Sequence, residues 1–421
     1  MESILPLLEQ TWLASAAVRA LPEPQKQALL HRLADLLLAY EASILAENAT
    51  DLAHMASDDP KRDRLRLDPV RLQALADSVR SVATLPDPTG QLQLERTLPN
   101  GIRLRKITVP LGVVGIIYES RPNVTLDVTA LCLRSGNAVA LRGSSEAAHS
   151  NSALVAVIHR ALDEFAVPRS AVTLLPTDRA FVKELLTATH YVDIIIPRGS
   201  ESLIQFVRQH ATVPTIETGA GVCHTYVHRA ADLTKALAIV VNAKVSRPAV
   251  CNALDTILVD ADIAGQFLPL LQADFEKWQV EVFADERAYP IFQTAGWKRL
   301  QSARAEDFGR EFLDYKCSVK VVDGLEAALA HIRRYSSRHS EAIVSADDAV
   351  CRQFIERVDA AVVYTNASTR FTDGGEFGLG AEIGISTQKL HARGPFALEK
   401  LVTEKWIAVG DGQVRWSGKG Q

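Results

Sequence analysis

Residues 112–141 of the chain read GVVGIIYESRPNVTLDVTALCLRSGNAVAL, and this stretch decides the fold class. The short apolar runs at 112–118 and 138–141 predict two strands, because strands buried on both faces show continuous hydrophobic runs. The pattern continues with strands expected at 172–175 and 192–196, and with amphipathic helices expected at 151–165, 181–187 and 201–210. Such alternation is typical of a parallel sheet with helices on both faces. We therefore predict a doubly wound α/β domain, an architecture that often holds a dinucleotide at the carboxyl ends of its strands.

A second alternation of strands and helices begins near Asp232. Strands are expected at 256–259, 280–283, 319–322, 342–344 and 361–364, and helices at 233–245, 263–276, 325–335 and 349–357. The same physical argument applies to these segments, so they predict a second doubly wound α/β domain. The boundary between the two domains is expected near 225–232.

The segments outside these alternations have different patterns. Residues 25–56 and 69–84 carry leucines at helical spacing and predict helices. Residues 91–108 alternate apolar and polar side chains around Pro99-Asn100-Gly101, a turn signal, and predict a β-hairpin. A projecting hairpin has unpaired edges, so we expect a partner subunit to cover it. Five glycines within residues 371–384 predict a loop that approaches another group closely.

Charge and composition exclude several classes of protein. The chain carries 46 Lys+Arg and 50 Asp+Glu, for a net charge of −4, and 47% of its residues are hydrophobic. These values exclude a disordered chain and argue against a nucleic-acid partner, which would leave a basic footprint. The amino-terminal stretch lacks a basic region, and no run of 18 apolar residues occurs. We therefore expect neither a signal peptide nor a membrane span.

The cysteines bear on both location and chemistry. The chain has Cys132, Cys223, Cys251, Cys317 and Cys351, which are widely spaced and form no C-x-x-C pair. This usage favours a reducing, cytoplasmic location. Cys251 lies between a predicted helix and a predicted strand, with Arg247 close in sequence. A thiol in such a loop can react as a thiolate, although a buried structural thiol is an equally open interpretation.

Two turns that join a strand to a helix are candidates for binding a phosphate. In the first, Gly199 and Ser200 follow a strand and open a helix, where free N–H groups and the helix dipole favour a pyrophosphate. The alternative is a plain turn in which Ser200 caps the helix. In the second, Arg142 and Ser145 stand where an adenine ribose would lie. Their cationic and neutral side chains favour NADPH over NADH, although Glu146 is adjacent.

We predict no metal site, because the eleven histidines have no neighbours at metal-ligand spacing. His331 and His339 lie among basic residues, which favours a solvated face for both.

The chain as a whole resembles the aldehyde dehydrogenase superfamily. The matching segments are 110–125 (PLGVVGIIYESRPNVT), 141–143 (LRG), 194–204 (IIIPRGSESLI), 215–224 (TIETGAGVCH), 246–259 (SRPAVCNALDTILV) and 378–395 (GLGAEIGISTQKLHARGP). Within the superfamily, they are most similar to the enzymes that reduce γ-glutamyl phosphate to glutamate 5-semialdehyde in proline biosynthesis. The resemblance implies a cysteine thioester and NADP(H) as cofactor.

The resemblance also implies a division into three parts. Residues 1–90, 109–228 and 365–400 would form a cofactor-binding domain, and residues 229–364 a catalytic domain. The hairpin 91–108 and residues 401–421 would form an oligomerisation element, with a carboxyl-terminal strand around 405–409. A homo-oligomer is therefore expected, and an association with the glutamate 5-kinase that makes the acyl phosphate stays open.

Roles follow residue by residue from the same resemblance. Cys251 corresponds to the nucleophile, and Asn123 to the side chain that helps to form the oxyanion hole. Arg142 and Ser200 correspond to contacts with the cofactor ribose and pyrophosphate. Glu311 corresponds to the glutamate that holds the nicotinamide ribose, although the glycine and proline that follow it in the superfamily are missing here.

Glu217 stands 34 residues before Cys251, at the spacing of the general base in hydrolytic aldehyde dehydrogenases. Its segment reads Glu-Thr-Gly-Ala-Gly rather than Glu-Leu-Gly-Gly. A reductase that consumes an acyl phosphate needs no such base, because no water has to be activated. A catalytic and a positional role for Glu217 both stay open, and so does a hydrolytic aldehyde dehydrogenase. A non-catalytic α/β binding protein is a third hypothesis.

An anionic substrate with a carboxylate and a phosphate requires cationic partners. The candidates are Arg121, Arg247, Lys389, His391 and Arg393. The alternative is that most of them are ordinary surface charges.

Overall fold

The computed structural model describes residues 3–56, 59 and 62–415. Its helices are α1 (Leu5–Ala20), α2 (Glu23–Ala39), α3 (Glu41–Ala53), α4 (Arg62–Leu65), α5 (Pro69–Thr84), α6 (Pro122–Arg134), α7 (Ala148–Glu164), α8 (Ala180–Thr187), α9 (Glu201–His210), α10 (Leu233–Val245), α11 (Ala261–Phe267), α12 (Gln272–Lys277), α13 (Tyr289–Thr294), α14 (Gly324–Tyr335) and α15 (Asp348–Arg357). Its strands are β1 (Leu92–Thr97), β2 (Arg103–Pro110), β3 (Val113–Tyr118), β4 (Ala138–Arg142), β5 (Val172–Leu174), β6 (Ile194–Arg198), β7 (Cys223–Val227), β8 (Leu254–Asp260), β9 (Glu281–Ala284), β10 (Leu300–Ser302), β11 (Lys316–Val322), β12 (Ser340–Val344), β13 (Val362–Thr365), β14 (Gly384–Ser386), β15 (Gly394–Phe396) and β16 (Val402–Val409).

The chain folds into two compact units. The first unit takes in the described residues up to Ile216, Leu379–Gly384, and those from Phe396 onward. Its central parallel sheet has the strand order β5-β4-β3-β6. Every residue of β3 is buried, because helices cover both faces of the sheet. On one face of the sheet, Val113 and Ile117 pack against residues of α1, α8 and α9. In addition, α6 contacts β4, and α7 contacts β5.

The second unit comprises Glu217–Gly378 and Ile385–Pro395. Its parallel sheet has the order β10-β9-β11-β8-β7-β12-β13. Alternate residues of β8 point to opposite faces, as the pleat requires: Ile257 packs with α10–α13, and Leu258 packs with α14 and α15. The prediction of two doubly wound α/β layers is therefore confirmed.

A separate antiparallel sheet in the first unit has the order β1-β2-β16. Gly101, with a φ of +86°, allows the tight turn between β1 and β2, as the Pro99-Asn100-Gly101 signal predicted. β16 begins at Val402 and pairs with β2 along its whole length. Much of this sheet is exposed, including Leu92 and Trp406.

The structure also differs from the predicted elements in several places. The helix predicted at 25–56 is two helices, because the backbone leaves helical geometry at Tyr40, between α2 and α3. The helix predicted at 263–276 contains a 3₁₀ turn, Leu268–Leu271, where Pro269 has no N–H to donate to a helical bond. Residues 217–228, 365–378 and 385–395 belong to the second unit, whereas the resemblance placed them with the cofactor-binding domain. β7 accounts for part of this difference, because it pairs with β8 and β12.

Within the part of the chain that the structure describes, no helix is both long enough and apolar enough to cross a membrane.

Candidate active site

A cavity of about 500 Å³ opens in the first unit at the carboxyl ends of its parallel strands. This is where doubly wound sheets bind their ligands. Arg142 ends β4, and Ser144 and Ser145 follow it in the wall of the cavity. The remaining lining residues are Arg64, Tyr118, Glu119, Ser120, Arg121, Glu146, Thr177, Arg179, Val182, Ser202, Leu203 and Phe206. The structure therefore brings together Arg142 and Ser145, two of the predicted cofactor contacts, and adds Arg121, which the sequence assigned to the substrate.

Arg142 is held in place by the backbone of the next loop. Its guanidinium donates to the carbonyl oxygen of Thr177 at 2.7 Å, while its Nε is buried without a hydrogen-bond partner. Burial lowers the pKa of Arg142, the positive charge of Arg179 lowers it further, and Asp178 acts in the opposite direction. A half-buried cation with an unsatisfied donor is a group that an anionic ligand would satisfy.

The helix start at Ser200 has an internal anion against it. The carboxylate of Glu119 accepts hydrogen bonds from the Ser200 N–H at 2.9 Å and from the Ser200 hydroxyl at 2.7 Å. Gly199 permits this approach, because a Cβ there would lie 2.6 Å from the Glu119 carboxyl carbon. Ser200 occupies the N-cap position of α9, but its hydroxyl does not cap the helix. The donors of this turn can therefore bind an oxyanion, which here is the carboxylate of Glu119.

Asn123 lies in the first turn of α6 and is positioned by its own helix. Its amide donates to Asp127 at 3.2 Å, one helical turn later. Burial raises the pKa of Asp127 to about 6, while the hydrogen bond from Asn123 and the charge of Arg198 act in the opposite direction. This contact fixes the side chain to which the resemblance gives the oxyanion role.

In the second unit, Cys251 lies in the loop between α10 and β8, as predicted. It is the partly exposed member of the five cysteines, and the other four are buried. Gly221 passes so close that a Cβ there would lie 1.5 Å from the Cys251 carbonyl oxygen. The Cys223 thiol donates to the same oxygen at 3.3 Å. The backbone of the candidate nucleophile is therefore fixed from one side by the segment that leads into β7.

Asn252 anchors the loop from the other side. Its side-chain amide donates to the carbonyl oxygens of Thr372 at 2.9 Å and Arg370 at 3.3 Å, and its own carbonyl accepts from Thr369 at 2.7 Å. The Arg370 guanidinium also donates to the Asn252 side-chain oxygen. These residues hold the turn that carries the thiol.

Arg370 is a cation beside Cys251 that the sequence analysis missed. Burial lowers the pKa of Arg370 and nearby Arg247 lowers it further, whereas negative charge on Asp373 and Cys251 raises it. Arg370 therefore places positive charge near the thiol, with Arg247 close to Arg370, and a neighbouring cation favours a thiolate. The available signal was the glycine-rich segment that starts one residue later, at Phe371.

The two candidate glutamates are also in the second unit. Glu311 accepts a hydrogen bond from the Gly221 N–H at 2.7 Å, so it supports the segment that lies against Cys251. Glu217 is half-buried, and its N–H donates to the Gln388 side chain at 3.2 Å. Next to it, Thr218 pairs with Ser386. Residues 217–218 are thus anchored to the segment that precedes Lys389.

Three of the predicted substrate contacts follow that segment directly: Lys389, His391 and Arg393. Lys389 and Arg393 both reach Asp359 at 2.8 Å, and these two hydrogen bonds lower the pKa of Asp359 to about 2. His391 is exposed and has a φ of +64°. Lys389 and Arg393 therefore already share a carboxylate partner.

The prediction for His331 and His339 is wrong, because both side chains are buried. His331 lies on the inner face of α14, with its ring against Phe308 and Tyr335. Burial lowers the pKa of His331 to about 3 and that of His339 to about 4, so both are neutral. Among the described residues, no group of three or more His, Cys, Asp or Glu is arranged to hold a metal ion.

Comparison with known proteins agrees with this geometry. The family model described as "Aldehyde dehydrogenase family" matches residues 8–307. The chain therefore belongs to the aldehyde dehydrogenase family, and the superfamily resemblance inferred from its motifs is confirmed.

The relatives within the family are more specific. The γ-glutamyl phosphate reductase of Bacteroides fragilis is 53% identical over 94% of this chain and 95% of its own. The γ-glutamyl phosphate reductase of Chlorobaculum parvum is 51% identical over 98% of this chain and 99% of its own. The crystal structure of γ-glutamyl phosphate reductase from Thermotoga maritima aligns with a TM-score of 0.94 and 40% identity, covering 99% of this chain and 100% of that one.

Proposed function

We propose that this chain reduces γ-glutamyl phosphate to glutamate 5-semialdehyde and phosphate in proline biosynthesis, with NADPH as hydride donor. The observation that carries the proposal is the partly exposed Cys251, held between Gly221 and Asn252 and close to Arg370, which in turn lies near Arg247. The names of relatives that are about half identical over nearly the full chain give the substrate.

The proposed chemistry begins at the Cys251 sulfur. The thiolate bonds to the acyl carbon of γ-glutamyl phosphate, the bond from that carbon to the phosphate oxygen breaks, and phosphate leaves. Arg370 favours the thiolate through its charge. The product of this step is a thioester on Cys251.

The lining of the cavity in the first unit supports the binding of a nicotinamide dinucleotide there. Its wall provides the unsatisfied donor of Arg142, the hydroxyl of Ser145 and an apolar side formed by Val182, Leu203 and Phe206. When bound, NADPH supplies the hydride that reduces the thioester. Asn123 keeps its proposed role as an oxyanion donor, and Glu311 its proposed role towards the nicotinamide ribose.

A hydrolytic aldehyde dehydrogenase is the second candidate function, because Glu217 keeps the spacing of a general base. The requirement for phosphate separates the two. In the oxidative direction, a phosphorylating enzyme needs phosphate to release the acyl group, whereas a hydrolytic one uses water. Oxidation of glutamate 5-semialdehyde without phosphate would favour the hydrolytic enzyme.

Replacing Cys251 tests the nucleophile directly. We expect Cys251→Ala to reduce semialdehyde-dependent NADP⁺ reduction by more than about a thousandfold, because a covalent step has no substitute. NADPH binding, measured by fluorescence titration, should be unchanged. Cys351→Ala is the matched control, since Cys351 is buried on α15, and it should keep its turnover. Appreciable residual turnover in Cys251→Ala would contradict the proposal.

We further propose a homo-oligomer in which the β1-β2-β16 sheet meets a partner subunit. The exposed Leu92, Trp406 and Val409 on this sheet support the proposal. The substrate contacts of Arg121, Lys389, His391 and Arg393, and association with the glutamate 5-kinase, stay predictions.

A further inference from the structure

Two arginines face the same cavity in the first unit. Arg142 ends β4, and Arg179 precedes α8 at its N-cap position. They are close enough for the charge of Arg179 to lower the pKa of Arg142. Within the described part of the chain, the Arg179 guanidinium makes neither a hydrogen bond nor an ion pair, although its backbone carbonyl accepts from the Val182 N–H. Arg142 has its buried, unsatisfied Nε. Two adjacent like charges repel each other unless an anion lies between them.

The carboxylates near this pair are engaged elsewhere. Glu119 binds Ser200, and Glu146 accepts a hydrogen bond from the Ser120 hydroxyl. Asp178 offsets part of the charge on Arg142, but its carboxylate also accepts from the Ala180 N–H at 2.9 Å. Among its described lining residues the cavity has four arginines, Arg64, Arg121, Arg142 and Arg179, against the two carboxylates of Glu119 and Glu146, so its lining has an excess of positive charge.

The cavity that contains these arginines also has apolar lining residues, and one of them is close to Arg179 on α8. Val182 follows three residues later, on the same face of α8, and lines the cavity together with Leu203 and Phe206 of α9. These apolar side chains suit a flat aromatic base. The sugar attached to such a base would lie towards the strand ends, beside Arg142 and Arg179.

We propose that Arg179 acts with Arg142 to bind a phosphate on the adenosine ribose, and that Arg179 is a residue by which the enzyme selects NADPH over NADH. Two guanidinium groups suit a dianionic phosphate, because each can donate two charge-assisted hydrogen bonds. A ribose with a free 2′-hydroxyl would leave both cations uncompensated. This inference rests on the proposed function, which supplies the dinucleotide.

The test uses fragments of the cofactor, so that it does not depend on turnover. We expect Arg179→Ala to weaken binding of 2′,5′-ADP by about tenfold or more in calorimetric titration, the usual effect of losing a hydrogen bond to a charged group. Binding of 5′-AMP, which has no 2′-phosphate, should change by less than about twofold, since it loses no such bond. The ratio of kcat/KM for NADP⁺ to that for NAD⁺ should fall by the same factor as the affinity for 2′,5′-ADP.

Arg19→Ala is the matched control, because it removes an exposed arginine of the same unit at the end of α1. It should leave both affinities unchanged. Unchanged affinity for 2′,5′-ADP in Arg179→Ala, or equal losses for the two fragments, would overturn the inference. If Cys251→Ala is still inactive in that case, the proposed function stands and only the role of Arg179 is wrong.

Discussion

Gly221 shows how one residue can determine the position of a reactive thiol. Its hydrogen in place of a side chain allows two backbone segments to touch, with Glu311 bonded to its N–H and Cys251 against its α-carbon. Any Cβ would push the Cys251 carbonyl away, and the peptide that follows Cys251 would rotate with it. The need for glycine here is a matter of contact, because no unusual φ is involved.

We expect Gly221→Ala to lower the free energy of unfolding by at least about 2–3 kcal/mol, since the overlap falls on backbone that cannot give way easily. Activity should fall by more than the fraction of protein that unfolds. Urea unfolding and steady-state kinetics at the same temperature measure the two effects.

Gly265→Ala is the control for this substitution. Gly265 lies in α11, and a Cβ there meets nothing within 4 Å. Alanine in a helix interior raises the free energy of unfolding by about 0.5–1 kcal/mol relative to glycine. This variant should therefore be slightly more stable and fully active. Similar behaviour of the two variants would show that the contact with Cys251 has no special importance.

At the scale of elements, the turn between β6 and α9 is already bound to a carboxylate. Glu119, just beyond the end of β3, uses the Ser200 donors that the resemblance gives to a pyrophosphate. A ligand phosphate and the Glu119 carboxylate cannot accept from the same N–H in the same position. Cofactor binding at this turn therefore requires Glu119 to move.

We expect Glu119→Gln to tighten NADPH binding by about fivefold, because a neutral amide competes less well than a carboxylate for these donors and does not repel a phosphate. Fluorescence titration of NADPH measures the change. Glu164→Gln, which removes an exposed carboxylate at the end of α7, should leave the affinity unchanged. Unchanged or weaker binding in Glu119→Gln would argue against the competition.

The elements themselves could be predicted well from local pattern. α10 and α9 have their predicted bounds, and most strands of the two parallel sheets lie within a few residues of the predicted apolar runs. β7 and β10 of the seven-stranded sheet were not predicted. Breaks that depend on one residue were missed, such as the change of backbone at Tyr40. α1 was also missed, although it forms a helix over Leu5–Ala20.

At the scale of the whole molecule, the β1-β2-β16 sheet leaves many of its side chains exposed in the single chain. Trp406 is 52% exposed, and Lys106 lies over its ring at 5.6 Å. We expect Trp406→Glu to lower the molar mass measured by light scattering after size-exclusion chromatography, because a charge at a subunit contact is costly to desolvate.

Val70→Glu serves as the control for this variant, since Val70 is 79% exposed on α5, away from the sheet. It should keep the mass of the unmodified protein. A Trp406→Glu protein of unchanged mass would mean that this sheet does not hold the subunits together.

The site could be predicted only in part, and the reason is distance along the chain. Cys251 was found because its loop lies between a regular helix and strand. Arg370, Asn252 and Gly221 were missed as supports of that loop, because Arg370 and Gly221 are brought to it from remote positions. His331 was misplaced because neighbouring charges in sequence say little about which face of a helix is buried.

The pairing of β2 with β16 has a consequence for biosynthesis. Val402 of β16 lies opposite Pro110 of β2, and the Asn137 side chain donates a hydrogen bond to the Leu401 carbonyl oxygen. Each contact joins two residues that the ribosome adds to the chain at widely separated times. While the ribosome synthesises the intervening chain, β2 has one antiparallel partner and one open edge. Open strand edges favour association with other chains. Residues 402–409 therefore close an edge of β2 that stays open while the chain between the two strands is synthesised.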